Sequence, residues 1–275
     1  MRGGWANQSG PGPLGPAGGP SGRYLLACAA LMLLALFLLD VAAGLYLFLP
    51  LVGRRNAGVK FYRLIFLIGG VLALCAAIAH AMAGRQDLAY ADTAIVALTI
   101  VALIVLRYPK RLIFRATAAL LGAAYLVSSI AAYHAAVRPS HVAWSIAGAL
   151  ASIGLLGSVN LAMLLGHWYL VVRGMSIDPL KRLTIATLVA AIVKIVLVVI
   201  VIAVAWPPPV TKDIFFWMRA GWGLLGPLAL YPMVWGTVKI RSTMAATGIL
   251  YVDVVAVVIG EVLGGWLSAI ARLPL

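Results

Sequence analysis

Eight runs of apolar residues, each 18 or more long and bounded by charge or by Pro/Gly clusters, occupy nearly all of the chain after residue 23. They cover approximately 24–52, 62–83, 91–108, 113–137, 141–171, 183–206, 214–238 and 243–270. About 20 apolar residues cross a bilayer core as a helix, and in lipid every backbone polar group must find its partner inside the segment. Runs of this length therefore predict transmembrane helices. Composition agrees: 64% of residues are hydrophobic and 10% charged, against roughly 25% charged in soluble domains. The expected fold class is an all-α integral membrane protein, a bundle of about eight transmembrane helices in a single domain over 24–275. The loops between the runs are too short to hold a soluble domain.

The net charge of +14 invites a nucleic-acid reading, but the positions of the basic residues argue against it. Loops 1, 3, 5 and 7 carry Arg54, Arg55, Lys60 and Arg63; Arg107, Lys110, Arg111 and Arg115; Arg173, Lys181 and Arg182; Lys239 and Arg241. The opposite side carries Arg2, Arg23, Arg85, Arg138, Lys212, Arg219 and Arg272, and Lys194 lies within a span. The positive-inside rule then places the odd loops in the cytoplasm and both termini outside. Attraction to anionic headgroups is a secondary consequence. The expected setting is a multi-pass plasma (inner) membrane protein with the lipid bilayer as partner and no nucleic acid.

Residues 1–23 hold eight Gly and four Pro, which predicts a disordered extracytoplasmic tail. The apolar run that follows, about 29 residues long, is too long for a signal peptide. Cys28 and Cys75 fall within spans without CxxC or CxxCH spacing, so no disulfide framework, zinc site or covalent haem is expected.

Ionisable residues inside a bilayer are costly and mark candidate sites. With a rise of about 1.5 Å per residue, Asp40 and Lys194 come out near the midplane, and Asp253 a few ångströms to the cytoplasmic side. Arg219 and Glu261 come out about 7–10 Å into the outer leaflet. Matching by depth pairs Asp40 with Lys194 and Arg219 with Glu261. These residues are either buried ion pairs that fix packing or an ion path through Asp40, Asp253 and Lys194.

Among the histidines, His80 and His134 lie near the outer ends of spans 2 and 4, about 11–13 Å from the midplane on the same arithmetic. Two imidazoles at one depth on different helices can hold a b-type haem, each Nε2 on the iron. His141, at the outer start of span 5, is a substitute ligand. The alternative is that these histidines cap helix ends in the interface. The stretch NLAMLLGHWYLVVRGMSIDPLKR (160–182) places His167, Trp168 and Tyr169 at the cytoplasmic end of span 5. They are either belt residues at headgroup level or a quinone site, with His167 bonding a carbonyl and the aromatic rings forming the walls.

Span 7 contains Pro227 and Pro232 among Gly221, Gly223, Gly226 and Gly236, which predicts a kinked or broken helix. Gly260 and Gly264 in span 8 have the GxxxG spacing that permits close helix contact. No GxSxG, HExxH or Walker loop is present, so hydrolase chemistry is not expected. The leading expectation is a membrane subunit of an electron-transfer complex, a redox relay rather than a stand-alone enzyme. It would bind quinone, with one b-type haem near the outer face, and work with other subunits and an extracytoplasmic redox partner. The alternatives are an ion-coupled secondary transporter or channel using Asp40, Lys194 and Asp253, and a structural anchoring subunit without chemistry.

Overall fold

The computed structural model describes residues 20–106, 111–172, 174–204 and 209–275, and it contains no strand among them. The elements are α1 (Pro20–Val52), α2 (Arg54–Met82), α3 (Gln86–Val105), α4 (Arg111–Val137), α5 (Val142–Val171) and α6 (Asp178–Val204). A 3₁₀ turn (Pro209–Lys212), α7 (Ile214–Met218), a π-helical segment (Arg219–Leu225), α8 (Gly226–Lys239) and α9 (Thr243–Ala271) complete the chain. Seven helices, α1 to α6 and α9, are long and apolar enough to cross a membrane. The chain is thus an all-helical, multi-pass membrane protein. The eighth expected span, 214–238, is folded as one helical run whose hydrogen bonding is π over Arg219–Leu225, with helical backbone at both junctions, Pro227 in the first turn of α8 and Pro232 inside it.

Helix ends differ from the sequence reading where turn chemistry intervenes. α1 begins at Pro20, so residues 1–19 of the expected tail lie outside the described residues, as do Arg107, Lys110 and Arg173. Proline suits a first turn because its missing N–H has no partner there anyway, and Pro179 occupies the first turn of α6 in the same way. The α1–α2 corner needs a single residue, Gly53 at φ 72°, a left-handed conformation open to glycine without steric cost.

α5 is the central helix. Of its apolar window 72% is buried, against 28% for α6, and it packs on α1, α4, α6 and α9. In lipid there is little hydrophobic drive between helices, so close packing of small residues holds them together. Gly44 of α1 and Gly157 of α5 meet backbone to backbone, and a methyl on either would overlap the other's main chain. The same arrangement joins Gly223 in the π segment to Gly260 of α9. One half of the GxxxG spacing is thus used for backbone contact. Its other half, Gly264, leaves the space that the Arg219 guanidinium fills.

Candidate functional site: a charged cavity on the flank of the bundle

The π segment sets up the site. A π turn widens the helix by one residue per turn, and here it carries Arg219 inward against α9. Arg219 is fully buried. Its Nη2 donates to the main-chain oxygen of Leu275 and lies 3.7 Å from Glu261 Oε1. Glu261's other oxygen, Oε2, accepts from Lys194 Nζ of α6 at 3.1 Å, and the same ammonium donates to Ser152 Oγ of α5 at 2.6 Å. One carboxylate is therefore shared by two cations drawn from separate elements. Removing one member of such a buried cluster leaves an uncompensated charge, at a cost of about 3–5 kcal/mol.

Depth matching placed Arg219 by Glu261 correctly, but it misassigned Lys194. Asp40 has no hydrogen bond to Lys194; it accepts instead from Ser129 Oγ of α4. The reason is reach: a lysine stem carries its ammonium several ångströms from its own Cα, so matching by backbone depth misplaces the charge. Asp40 and Lys194 nevertheless face the same space, a cavity of about 340 Å³. Its floor is Asp40, Lys194, Glu261 and Ser152, and its walls are apolar, among them Leu33, Phe37 and Leu156. Leu34 of α1 and Val262 and Trp266 of α9 also line it while remaining 48%, 54% and 40% exposed. The mouth therefore opens on the lipid-facing flank, between α1 and α9. Its volume falls within the roughly 300–1,000 Å³ of small-molecule sites, which combine apolar walls with a few convergent polar groups.

The other predicted residues are placed as follows. His80 is fully buried, with Nδ1 2.7 Å from Asp92 Oδ2 of α3 and Nε2 without a partner among the described residues. His134 is exposed and turns to α5, its Nδ1 2.8 Å from Ser145 Oγ. The two histidines thus face different helix interfaces. His141 is the exposed residue preceding α5 and makes no side-chain cap bond. His167 is exposed, 3.5 Å from Tyr251 Oη, a long contact. Trp168 Nε1 donates to Ala57 O at 3.2 Å and its ring packs on Phe61 of α2, while the Tyr169 hydroxyl donates to Ser176 O. These rings fasten α5 to α2 and to the following turn. Asp253 is buried on α9, with Oδ1 unpartnered among the described residues. Among the described residues no group of three or more His, Cys, Asp or Glu side chains is placed to hold a metal ion. Outside the spans, Arg85 holds its proton more tightly than a free guanidinium because Asp87 accepts two hydrogen bonds from it, the shorter at 2.8 Å.

Sequence reading missed Asp92, Ser129 and Ser152, together with Ser128, which donates to Asp92 Oδ1 at 2.5 Å, and Tyr133, which lines the cavity. Asp92 carried a weaker signal, an acid at the second residue of the apolar run 91–108. The serines carried none, because in membrane helices most serines bond their own backbone.

Fold and site define a polytopic, all-helical membrane protein with a side-opening cavity that ends in a cluster of opposed charges. Comparison with family models, with curated proteins and with solved structures gives no match.

Proposed function

We propose that the chain is the quinone-interacting membrane subunit of an electron-transfer complex, with the quinone head group held in the α1–α9 cavity. The observation that carries this reading is the cavity itself: it opens to lipid and ends on Lys194, Glu261 and Asp40. A quinone is a flat apolar ring with carbonyl acceptors that become hydroxyl donors on reduction. Lys194 uses two of its three N–H groups on Ser152 and Glu261, and the third is available to a carbonyl. Asp40 accepts from Ser129 through Oδ1, and its second oxygen can accept from a hydroxyl. This reading puts the quinone at the charged cavity rather than at His167, Trp168 and Tyr169, where the Trp168 and Tyr169 polar atoms are taken up by main-chain oxygens and His167 is exposed.

In this reading residues 214–239 form an eighth crossing. As one helical run they would extend about 39 Å at 1.5 Å per residue, and they pack along α9 and α6. Both termini then lie outside, in the plasma (inner) membrane, where an extracytoplasmic redox partner and other subunits would dock. A b-type haem near that face would take His80 as one ligand through its free Nε2, with Asp92 orienting the ring as carboxylates do for ligating histidines. His134 would have to leave Ser145 to supply the second.

The test is binding of a decyl-chain benzoquinone and the matching naphthoquinone to the purified full chain. Lys194→Met should weaken binding by about tenfold or more, the worth of one charge-assisted hydrogen bond. Saturable binding that is unchanged in Lys194→Met would refute the assignment. The haem element is read separately, as an α-band in the dithionite-reduced absorbance spectrum that His80→Ala removes. A transporter reading is favoured by one observation, the π-helical segment packed against a charged helix. It predicts gradient-driven uptake into liposomes that Lys194→Leu abolishes.

A further inference from the structure

Away from the cavity, the α8–α9 turn and the start of α6 meet at one end of the bundle, where positive charge is poorly compensated. α6 and α8 pack on each other. Arg241, in the turn after α8, lies within electrostatic range of Asp178, the first residue of α6, as do Lys181 and Arg182. Lys239 closes α8 two residues earlier. Arg182, Lys239 and Arg241 are exposed and Lys181 is half-buried. Against these four cations stands one carboxylate, Asp178, which already accepts from Ser176 Oγ at 2.6 Å. None of the four is ion-paired at contact distance among the described residues.

The aromatic face of α8 leads to the same charges. Tyr231, Trp235 and Lys239 recur every four residues and so share one helix face. The Tyr231 and Trp235 rings are stacked, with centroids 6.0 Å apart and planes at 16°, and the Lys239 ammonium sits 5.5 Å from the centre of the Trp235 ring. Met233, Ile240 and Met244 beside this ladder are exposed apolar side chains. The flank therefore runs from apolar surface, through rings suited to the bilayer interface, to a group of cations. A phospholipid carries the complementary series of acyl chain, ester level and anionic phosphate.

Basic residues at a helix end can serve topology alone, and the α1–α2 corner supplies the contrast. Ala57 of α2 accepts from Trp168 near the end of α5, which puts Lys60 and Arg63 at this same end of the bundle. Both are exposed, but their aromatic neighbours Phe61 and Tyr62 are buried in the core. Arg241 differs in its backbone as well: its φ of 57° is left-handed, a conformation glycine takes without steric cost. The turn thus bears a cost to carry an arginine.

We propose that Lys181, Arg182, Lys239 and Arg241 hold the phosphate of an anionic glycerophospholipid, with its acyl chain along the Tyr231–Trp235 face of α8. An arginine offers paired N–H groups that grip two phosphate oxygens at once, and a lysine adds a point charge. A zwitterionic head group brings its own ammonium, which the four cations repel, so the site selects lipids of net negative charge. None of these residues lines the α1–α9 cavity, and the site stands whether or not that cavity holds a quinone.

The experiment uses the purified full chain in an uncharged detergent and counts retained lipid by native mass spectrometry. The probes are dioleoyl phosphatidylglycerol and dioleoyl phosphatidylcholine. The wild type should retain one phosphatidylglycerol at a concentration about tenfold or more below that needed for phosphatidylcholine. Lys239→Gln with Arg241→Gln should weaken retention by about tenfold or more, since each cation near a lipid surface is worth roughly fivefold. Lys60→Gln with Arg63→Gln removes the same charge from the same end and should leave retention unchanged. Lys239→Arg should bind as the wild type does, which separates loss of charge from loss of folding. Equal losses in the two double variants would show diffuse attraction and overturn the site. Phosphatidylcholine retained as strongly as phosphatidylglycerol would also overturn it. So would glycerol phosphate, the soluble head group, binding as tightly as the lipid, because the α8 face would then contribute nothing.

Discussion

Two clusters stand out from the apolar background, one at Lys194, Arg219 and Glu261 and the other at His167, Trp168 and Tyr169, and they differ in what their polar atoms have left to give. In the aromatic cluster the Trp168 indole and the Tyr169 hydroxyl are taken up by main-chain oxygens of Ala57 and Ser176. They tie α5 to its neighbours and present little to a ligand. In the charged cluster one carboxylate is divided between two cations, and Lys194 and Asp40 keep free positions facing a cavity. An aromatic patch with a histidine looks more like a site in sequence than scattered single charges do. In the folded chain spare hydrogen-bonding capacity beside empty volume is what marks a site.

The comparison can be broken most severely at Glu261. Glu261→Ala leaves Lys194 and Arg219 buried without their shared anion, and should cost about 3–5 kcal/mol of stability, seen as a large fall in the thermal midpoint in detergent. A small fall would mean that water already screens the cluster. Next is Gly260→Ala, whose methyl would meet the Gly223 backbone and push the π segment off α9. Overpacking of this kind costs about 1–3 kcal/mol, and because Arg219 moves with the segment, quinone affinity should drop with stability. At the aromatic end, Trp168→Phe should cost about 1 kcal/mol, the net worth of one hydrogen bond, and leave quinone affinity unchanged. His167→Ala, at an exposed position, should change neither measurably. A loss of affinity in either aromatic-end variant would return the site to the sequence expectation.

Much of the fold was legible because a bilayer makes length and apolarity nearly sufficient: runs such as 141–171 could be nothing but helices. A departure from regular α-helix in 214–238 was also expected from Pro227, Pro232 and the flanking glycines; it takes the form of a π segment, not a break, and brings Arg219 to Glu261 and Gly264 across the interface. The costly residues Asp40, Lys194, Arg219 and Glu261 announced themselves by their setting, and the structure gathers them around Glu261 of α9 and the cavity beside it. Their pairing was only half legible, because a lysine's reach is invisible in a depth count. Ser128, Ser129 and Ser152 were illegible altogether: a serine becomes the hydrogen-bond partner of a buried charge only by what another helix brings to it. Nor did sequence reveal that His80 and His134, matched in depth, turn to different neighbours, since depth along a helix says nothing about azimuth.

The central claim is that the α1–α9 cavity holds a quinone-class head group on Lys194. Titration of the purified chain with decyl-chain quinone, wild type beside Lys194→Met and Trp168→Phe, tests it most directly. Saturable binding that weakens about tenfold or more in Lys194→Met and is unchanged in Trp168→Phe is the predicted result. Binding that survives loss of Lys194 and falls with Trp168 would contradict it.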